Sequence, residues 1–263
     1  MKIFETHAHY DDEQFDNDRA TLLPQIIAGG VSPIINVGAT MRGTYASVRF
    51  SEEYKDVYAA VGIHPSEYKD FNDDTIETLR TLADKPKVVA IGEIGLDYYW
   101  DKEEDVQAFQ RKIFREQIGL AKALNLPIIV HSREAAKDTF DIIKEKSDGN
   151  LRGVIHCYSG SVEMAREYVK MGFFIGVGGV VTFKNAKTLV NVVEDIPLTS
   201  ILLETDSPYM APAPHRGERN NSSYLTHVAA RIAEIKSTTA EEVIKTTRVN
   251  AFKLFDKVCK DNE

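Results

Sequence analysis

The chain has 263 residues, 43% of them hydrophobic and 27% charged, and a net charge of −8. That size suits one α/β barrel of about 250 residues, and the acidic balance argues against a protein that coats nucleic acid by bulk electrostatics, though not against one that grips one or two phosphates locally. No stretch approaches the ~20 apolar residues of a membrane span, and the opening residues lack the basic region and long apolar core of a signal peptide, Glu5 cutting the run short.

In chain order, short Ile/Val-rich runs predict strands at 2–6, 33–37, 57–61, 88–91, 127–130, 153–155, 173–177 and 201–203. Each is nearly continuous in apolar character, as a strand buried on both faces should be. Helical patterns alternate with them. In "EDVQAFQRKIFREQIGLAKAL" (104–124), Phe109, Ile113, Ile118, Leu120 and Leu124 form an approximate apolar stripe. "SREAAKDTFDIIKEK" is expected to start with Ser132 as N-cap, and "SVEMAREYVKMG" to run from a Ser161 cap to the breaker Gly172. "TTAEEVIKTTRVNAFKLFDKV" predicts two further helices joined near 247–250. Eight strand–helix repeats without a linker or low-complexity tract predict a single-domain (β/α)8 barrel over residues 1–263. The structural rival is an open doubly wound sheet, which would not normally carry polar residues at so many strand ends. Cys157 and Cys259, the latter in the final predicted helix, read as free thiols of a reducing, cytoplasmic compartment.

The ionisable residues fall at strand ends. His7 and His9 end the first run, and as i and i+2 on a strand they point to one side. "VGIHP" puts His64 past the third strand, "AIGEIGLD" puts Glu93 past the fourth, and "IIVHSR" and "VIHCYSG" put His131 and His156 at the ends of the fifth and sixth. "LLETDSPY" puts Glu204 and Asp206 after the eighth. All C-terminal strand ends of a barrel meet at one rim, so these groups are expected to be neighbours. A single histidine after a strand is more often satisfied by a backbone carbonyl than by a metal. Four or more imidazoles packed with carboxylates strand polar groups and like charges unless a cation joins them. His7, His9, Glu93, His131, His156 and Asp206 supply enough donors for two ions bridged by a carboxylate. Mixed imidazole and carboxylate suits Zn or Mn, and Mg with waters filling in. Such pairs clamp the attacking and leaving oxygens of an in-line displacement.

The segments "THAH", "VGIHP", "AIGEIGLDYY", "VHSR", "HCYSG" and "LLETDSPYMAPAPHRGERN" together resemble the TatD family of metal-dependent deoxyribonucleases in the amidohydrolase superfamily. The resemblance spans nearly the whole chain. It implies a distorted (β/α)8 barrel with His7, His9 and Asp206 on one divalent ion, His131 and His156 on the other, and Glu93 bridging them where related amidohydrolases use a carbamylated lysine. The family usually has Asp before Thr-His. Here it is Glu5, expected to support the site or the structure rather than the chemistry.

Asp206 is the candidate for ligand and general base, against a bland reading as a helix N-cap. Glu204 is a candidate for assisting proton transfer or holding a ligand in place. His64 is a candidate donor to a phosphoryl oxygen or acid for the leaving group, a structural histidine being the alternative. Arg133, His215, Arg216 and Arg219 are candidate phosphate contacts, since guanidinium forks match phosphate oxygens, although loop arginines are often merely solvated. Of Tyr98, Tyr99 and Trp100, some could stack bases of a single strand and at least one should pack its loop. The glycines of "GVGGVVTF" (176–183) could admit a phosphate to backbone N–H groups, a weak signal alone. The expected activity is cleavage of DNA, with RNA not excluded, 3′ to 5′ from single-stranded ends. The competing readings are hydrolysis of a small-molecule amide, lactone or phosphoester, and a metal-bearing binding protein without turnover. The residues leave the metal and the oligomeric state open, a monomer being compatible with them.

Overall fold

A computed structural model of the chain describes residues 1–258. Eight strands form one parallel sheet in sequence order: β1 (Ile3–Ala8), β2 (Val31–Val37), β3 (Val57–Val61), β4 (Val88–Asp97), β5 (Ile128–Arg133), β6 (Gly153–Ile155), β7 (Phe174–Val177) and β8 (Ile201–Leu203). The sheet curls shut where Ala8 bridges Ser207, His9 N–H donates to Ser207 O at 2.8 Å and Asp206 N–H to His7 O at 2.9 Å. Outside it lie α1 (Arg19–Ala28), α2 (Met41–Glu53), α3 (Thr75–Ala83), α4 (Glu104–Leu124), α5 (Ala136–Lys146), α6 (Val162–Lys170), α7 (Lys187–Asp195), α8 (Leu225–Lys236) and α9 (Ala240–Leu254). This is the (β/α)8 barrel expected, distorted by register shifts between β1 and β2, β3 and β4, and β4 and β5. No helix among the described residues is long and apolar enough to cross a membrane.

Strand periodicity divides the apolar residues into two cores. Phe4, Ile35, Tyr58, Ile129, Val154, Phe174 and Leu202 fill the lumen and share a cluster with Ala251, Leu254, Phe255 and Val258, so the end of α9 plugs the N-terminal mouth. Their chain neighbours Ile3, Ile34, Ala59, Ile128, Ile155, Ile175 and Leu203 face outward and pack under the helices. Burying Leu254 and Phe255 contributes about 1.5–3 kcal/mol each.

Three local expectations are corrected. α9 is one continuous helix, capped by Thr239, whose side chain accepts from Glu242 N–H. The polar residues that suggested a break at 247–250 are absorbed within it. Thr247 Oγ1 donates back to Val243 O at 2.8 Å, and the Asn250 amide donates to the Leu198 and Ile201 carbonyls. Ser132 is no N-cap. It lies in β5, where Leu96 pairs with Ser132 and Asp97 with Arg133, and its Oγ lies 3.0 Å from Thr139 Oγ1 while α5 starts after Ala135. β4 runs six residues beyond the predicted end at Ile91, so Glu93 lies within the strand. The Ser161 cap holds, accepting from Met164 N–H. Cys157 is a free thiol, and Cys259 lies outside the described residues.

Candidate metal centre

The lumen rows lead directly into the polar rim. Two residues beyond Ile129 comes His131 and then Arg133, two beyond Val154 comes His156, and two beyond Leu202 comes Glu204. The same row of β3 passes from Tyr58 through Ala60 and Gly62 to His64. From Phe4 to His7 the spacing is odd. The register shifts of β1 against β2 change the parity, so His7 and His9 also face inward. Asp206 adopts φ 57, a left-handed conformation that Asp tolerates better than most residues.

Glu93 sits at the centre, with its two oxygens facing different groups. Oε2 lies 3.5 Å from Nε2 of both His7 and His9. Oε1 lies 3.0 Å from His131 Nδ1, 3.9 Å from His156 Nε2 and 3.8 Å from His64 Nε2. Asp206 Oδ1 closes the cluster at 3.4 Å from His9 Nε2, 3.5 Å from His156 Nε2 and 3.7 Å from His7 Nε2. The Nε2 atoms of His7 and His9 are only 3.0 Å apart.

Outer partners fix which imidazole nitrogens carry protons. His9 Nδ1 lies 2.8 Å from Val37 O, a carbonyl that can only accept, so neutral His9 turns its Nε2 lone pair inward. His131 Nε2 lies 3.1 Å from Asp97 Oδ2, leaving Nδ1 bare toward Glu93. His156 Nδ1 is 3.1 Å from Glu204 Oε2, not aligned as a hydrogen bond, but the nearby carboxylate favours the proton on Nδ1 and the lone pair on the inner Nε2. His7 Nδ1 is buried without a hydrogen-bond partner among the described residues. Lone pairs of neutral imidazoles thus point at carboxylate lone pairs, an arrangement that repels unless positive charge sits between them. The donor set fits a borderline divalent ion.

Protons answer the same field. Burial opposes charge on His131, but Asp97 and Glu93 push its pKa up to about 9. Burial likewise opposes charge on His156, and Glu204 and Asp206 push it up to about 9. His9 rises well above its ordinary value against burial, through Asp206 and Glu93. Burial works against the charge of Glu93 too, yet the imidazoles of His64, His131, His7 and His9 hold its carboxyl well below the usual range. His64 is pushed down to about 3 by burial and by the neighbouring His131.

His9, His64, Glu93, His131, His156 and Asp206 form the floor of a cavity of about 760 Å³, whose walls include Asp12, Thr40, Arg133, Tyr158, Gly178 and Tyr209. Of the sequence-predicted residues, His7, His9, His64, Glu93, His131, His156, Glu204 and Asp206 come together, with Arg133 on the wall above them. The other three candidates lie outside the lining. His215 stacks on Tyr224 at 4.0 Å and pairs with Glu218 at 3.0 Å. Arg216 covers Phe183 at 4.1 Å, and Arg219 pairs with Asp18 and lies over Phe15. Glu5 is fully buried. It accepts from His7 and Thr205 N–H at 3.1 and 3.0 Å, tying β1 to the segment after β8, and burial pushes its pKa up to about 7. Of the 176–183 glycines, Gly176 makes room for the Glu204 carboxylate, which an added Cβ would overlap.

Asp97 was missed from sequence. Besides His131, it accepts from Tyr99 N–H at 3.0 Å, and it is 2% exposed. The signal was present: 93, 95 and 97 are alternate residues of one strand. Gly95, at φ +146, lets the His131 backbone approach where a Cβ would overlap its carbonyl.

The family model described as TatD related DNase matches residues 4–256. The uncharacterized metal-dependent hydrolase YabD of Bacillus subtilis (strain 168) is 44% identical over 253 residues, covering 96% of this chain and 98% of that protein. The crystal structure of YjjV, a TatD homologue of Escherichia coli K12, matches with a TM-score of 0.89 at 32% identity, covering 97% of this chain and 98% of that one. The Escherichia coli phosphotriesterase homology protein shares the fold, with a TM-score of 0.69 at 13% identity over 97% and 98% of the two chains. With a barrel of this topology, a rim of imidazoles and carboxylates and a match over nearly its full length, the chain belongs to the TatD related DNase family.

Proposed function

We propose that this metal-dependent hydrolase cleaves phosphodiester bonds of DNA, 3′ to 5′ from single-stranded ends, as one barrel spanning the chain. His7, His9 and Asp206 would hold one divalent ion, His131 and His156 a second, and Glu93 would join them. The observation that carries this reading is the split of the Glu93 carboxylate, with one oxygen toward the His7–His9 pair and the other toward His131 and His156. Bound ions would acidify water and offset charge developing on phosphoryl oxygens.

The protein's own groups then have distinct tasks. Asp206 is the carboxylate to receive a proton, since its side chain is 16% exposed to the cavity while that of Glu93 is 5% exposed. Glu204 is sealed off at 1% exposure and accepts from Cys157 N–H at 2.6 Å, so it orients His156 rather than meeting substrate. His64 Nδ1 accepts from Ser66 N–H at 3.1 Å, which leaves Nε2–H to donate to a phosphoryl oxygen. Arg133 offers a guanidinium fork at the wall.

The test is chelation followed by restoration with Zn, Mn or Mg, reading cleavage of a 3′-labelled single-stranded oligonucleotide beside a panel of lactones and N-acyl compounds. Loss and metal-dependent return of 3′ trimming is the expected result. Turnover of the panel alone would move the assignment to small-molecule hydrolysis.

A further inference from the structure

The turn after β4 presents aromatic surface that packing does not account for. Tyr98 is absorbed into the fold, its hydroxyl donating to Asp138 at 2.8 Å. Tyr99 and Trp100 are not, being 38% and 68% exposed. They meet edge to face at 4.6 Å, and the Arg133 guanidinium lies 3.8 Å over the Tyr99 ring and 5.6 Å from Trp100.

The cluster is held in place. Asp97 fixes Tyr99 through its backbone N–H, and the same carboxylate meets His131. On the far side of Trp100, Asp101 is held by two side chains of α4. The Gln107 amide donates to its carbonyl and the Gln110 amide to its carboxylate, both at 2.9 Å. An exposed indole on a stapled turn loses little freedom when a flat ligand settles on it. The arginine beside it borders the cavity and sits two residues beyond His131 on the same strand row, about 6.5 Å further along.

We propose that Tyr99, Trp100 and Arg133 form a nucleobase subsite, which stacks the unpaired base of the nucleotide adjoining the scissile phosphate while Arg133 meets that nucleotide's own phosphate. An aromatic face accepts every base, and it accepts one only when the base is unstacked from its partner strand. The subsite therefore supplies the preference for single-stranded or frayed ends. It rests on the phosphodiesterase reading above.

Trp100 is the sole tryptophan of the chain, which gives a direct probe. A phosphorothioate-linked single strand titrated into Mn-loaded protein should quench indole emission, whereas a strand abasic at the terminal two positions should not. In steady state, Trp100→Ala should raise KM for a normal single strand roughly ten- to hundred-fold, with kcat little changed, and Trp100→Phe should recover most of the loss. Against the abasic strand, wild type and Trp100→Ala should have the same KM. Cleavage of DNA with a KM indifferent to Trp100, or equal quenching by both strands, overturns the subsite and leaves the nuclease assignment standing. Quenching without cleavage under any of the three metals overturns the nuclease assignment and keeps the subsite as a binding site.

Discussion

His131 and His215 each place Nδ1 3.0 Å from a glutamate oxygen, yet the two contacts differ in kind. Glu218 is three residues from His215 in one loop, the His215 ring lies flat on Tyr224, and the Tyr224 hydroxyl donates to the same glutamate at 3.2 Å. Such a contact closes a local ring and shapes the loop. His131 meets Glu93 from 38 residues away and Asp97, on its other nitrogen, from 34. Both nitrogens are committed by a different strand, so ring orientation and tautomer are fixed by the barrel itself. A nitrogen aimed at a carboxylate by a distant second partner is the arrangement a metal donor needs, whereas a local pair with an aromatic neighbour needs no metal.

The sharpest way to break this contrast is to remove a rim group and a loop group in parallel. On the proposed function, Asp206→Ala should lower kcat/KM for DNA by about a thousand-fold or more, since it would remove the proposed ligand and proton acceptor together. His215→Ala should change it by less than about three-fold. Circular dichroism of both variants should match the parent. Equal losses from the two would mean that the loop after β8 takes part in the chemistry.

Next in size is the outer partner of His131. Asp97→Asn keeps volume and fold but offers an amide that no longer fixes the proton on Nε2. The affinity for Zn, measured by competition with a chromophoric chelator, should fall about 10- to 100-fold. Glu204→Gln should do the same through His156. An unaltered affinity in Asp97→Asn would falsify the claim that the second partner aims the donor.

Asp97 also shows what could be read before any coordinates. The strands were legible because a parallel sheet buried on both faces writes its core as unbroken Ile and Val. The ends of β2, β3, β6, β7 and β8 were legible too, but those drawn where polar residues begin, at Thr6, Ile91 and Val130, were not, because β1, β4 and β5 continue through the rim. The candidate ligands were visible as histidines and acids after apolar runs. Asp97 was hidden because a strand cut at Ile91 leaves it in a loop. The fates of Arg216 and Arg219 were hidden for another reason: nothing local in "HRGERN" says that Phe183, Asp18 and Phe15 lie beside it, and only the closed barrel brings these together.

The smallest effects separate the two arginines that look alike in sequence. Arg133→Ala should raise KM for DNA about ten-fold, because it would remove the proposed charge-assisted contact at the cavity wall, and should leave Tm within about a degree. Arg219→Ala should do the reverse. Its guanidinium donates to Asp18 at 2.9 and 2.5 Å and to Gln14 O at 2.6 Å, joining residues 201 positions apart, and it covers Phe15 at 4.6 Å. Both charged partners are a third or more exposed, so solvent screens the pair, and its loss together with the stacking should cost about 1 kcal/mol, lowering Tm by roughly 3 °C. The ion-pair share should shrink in high salt, while kcat/KM stays at the parent value. A stable Arg219→Ala protein that no longer cleaves DNA would require the loop to swing into the cavity, and the division between strand-borne chemistry and loop-borne scaffolding would then fail at this residue.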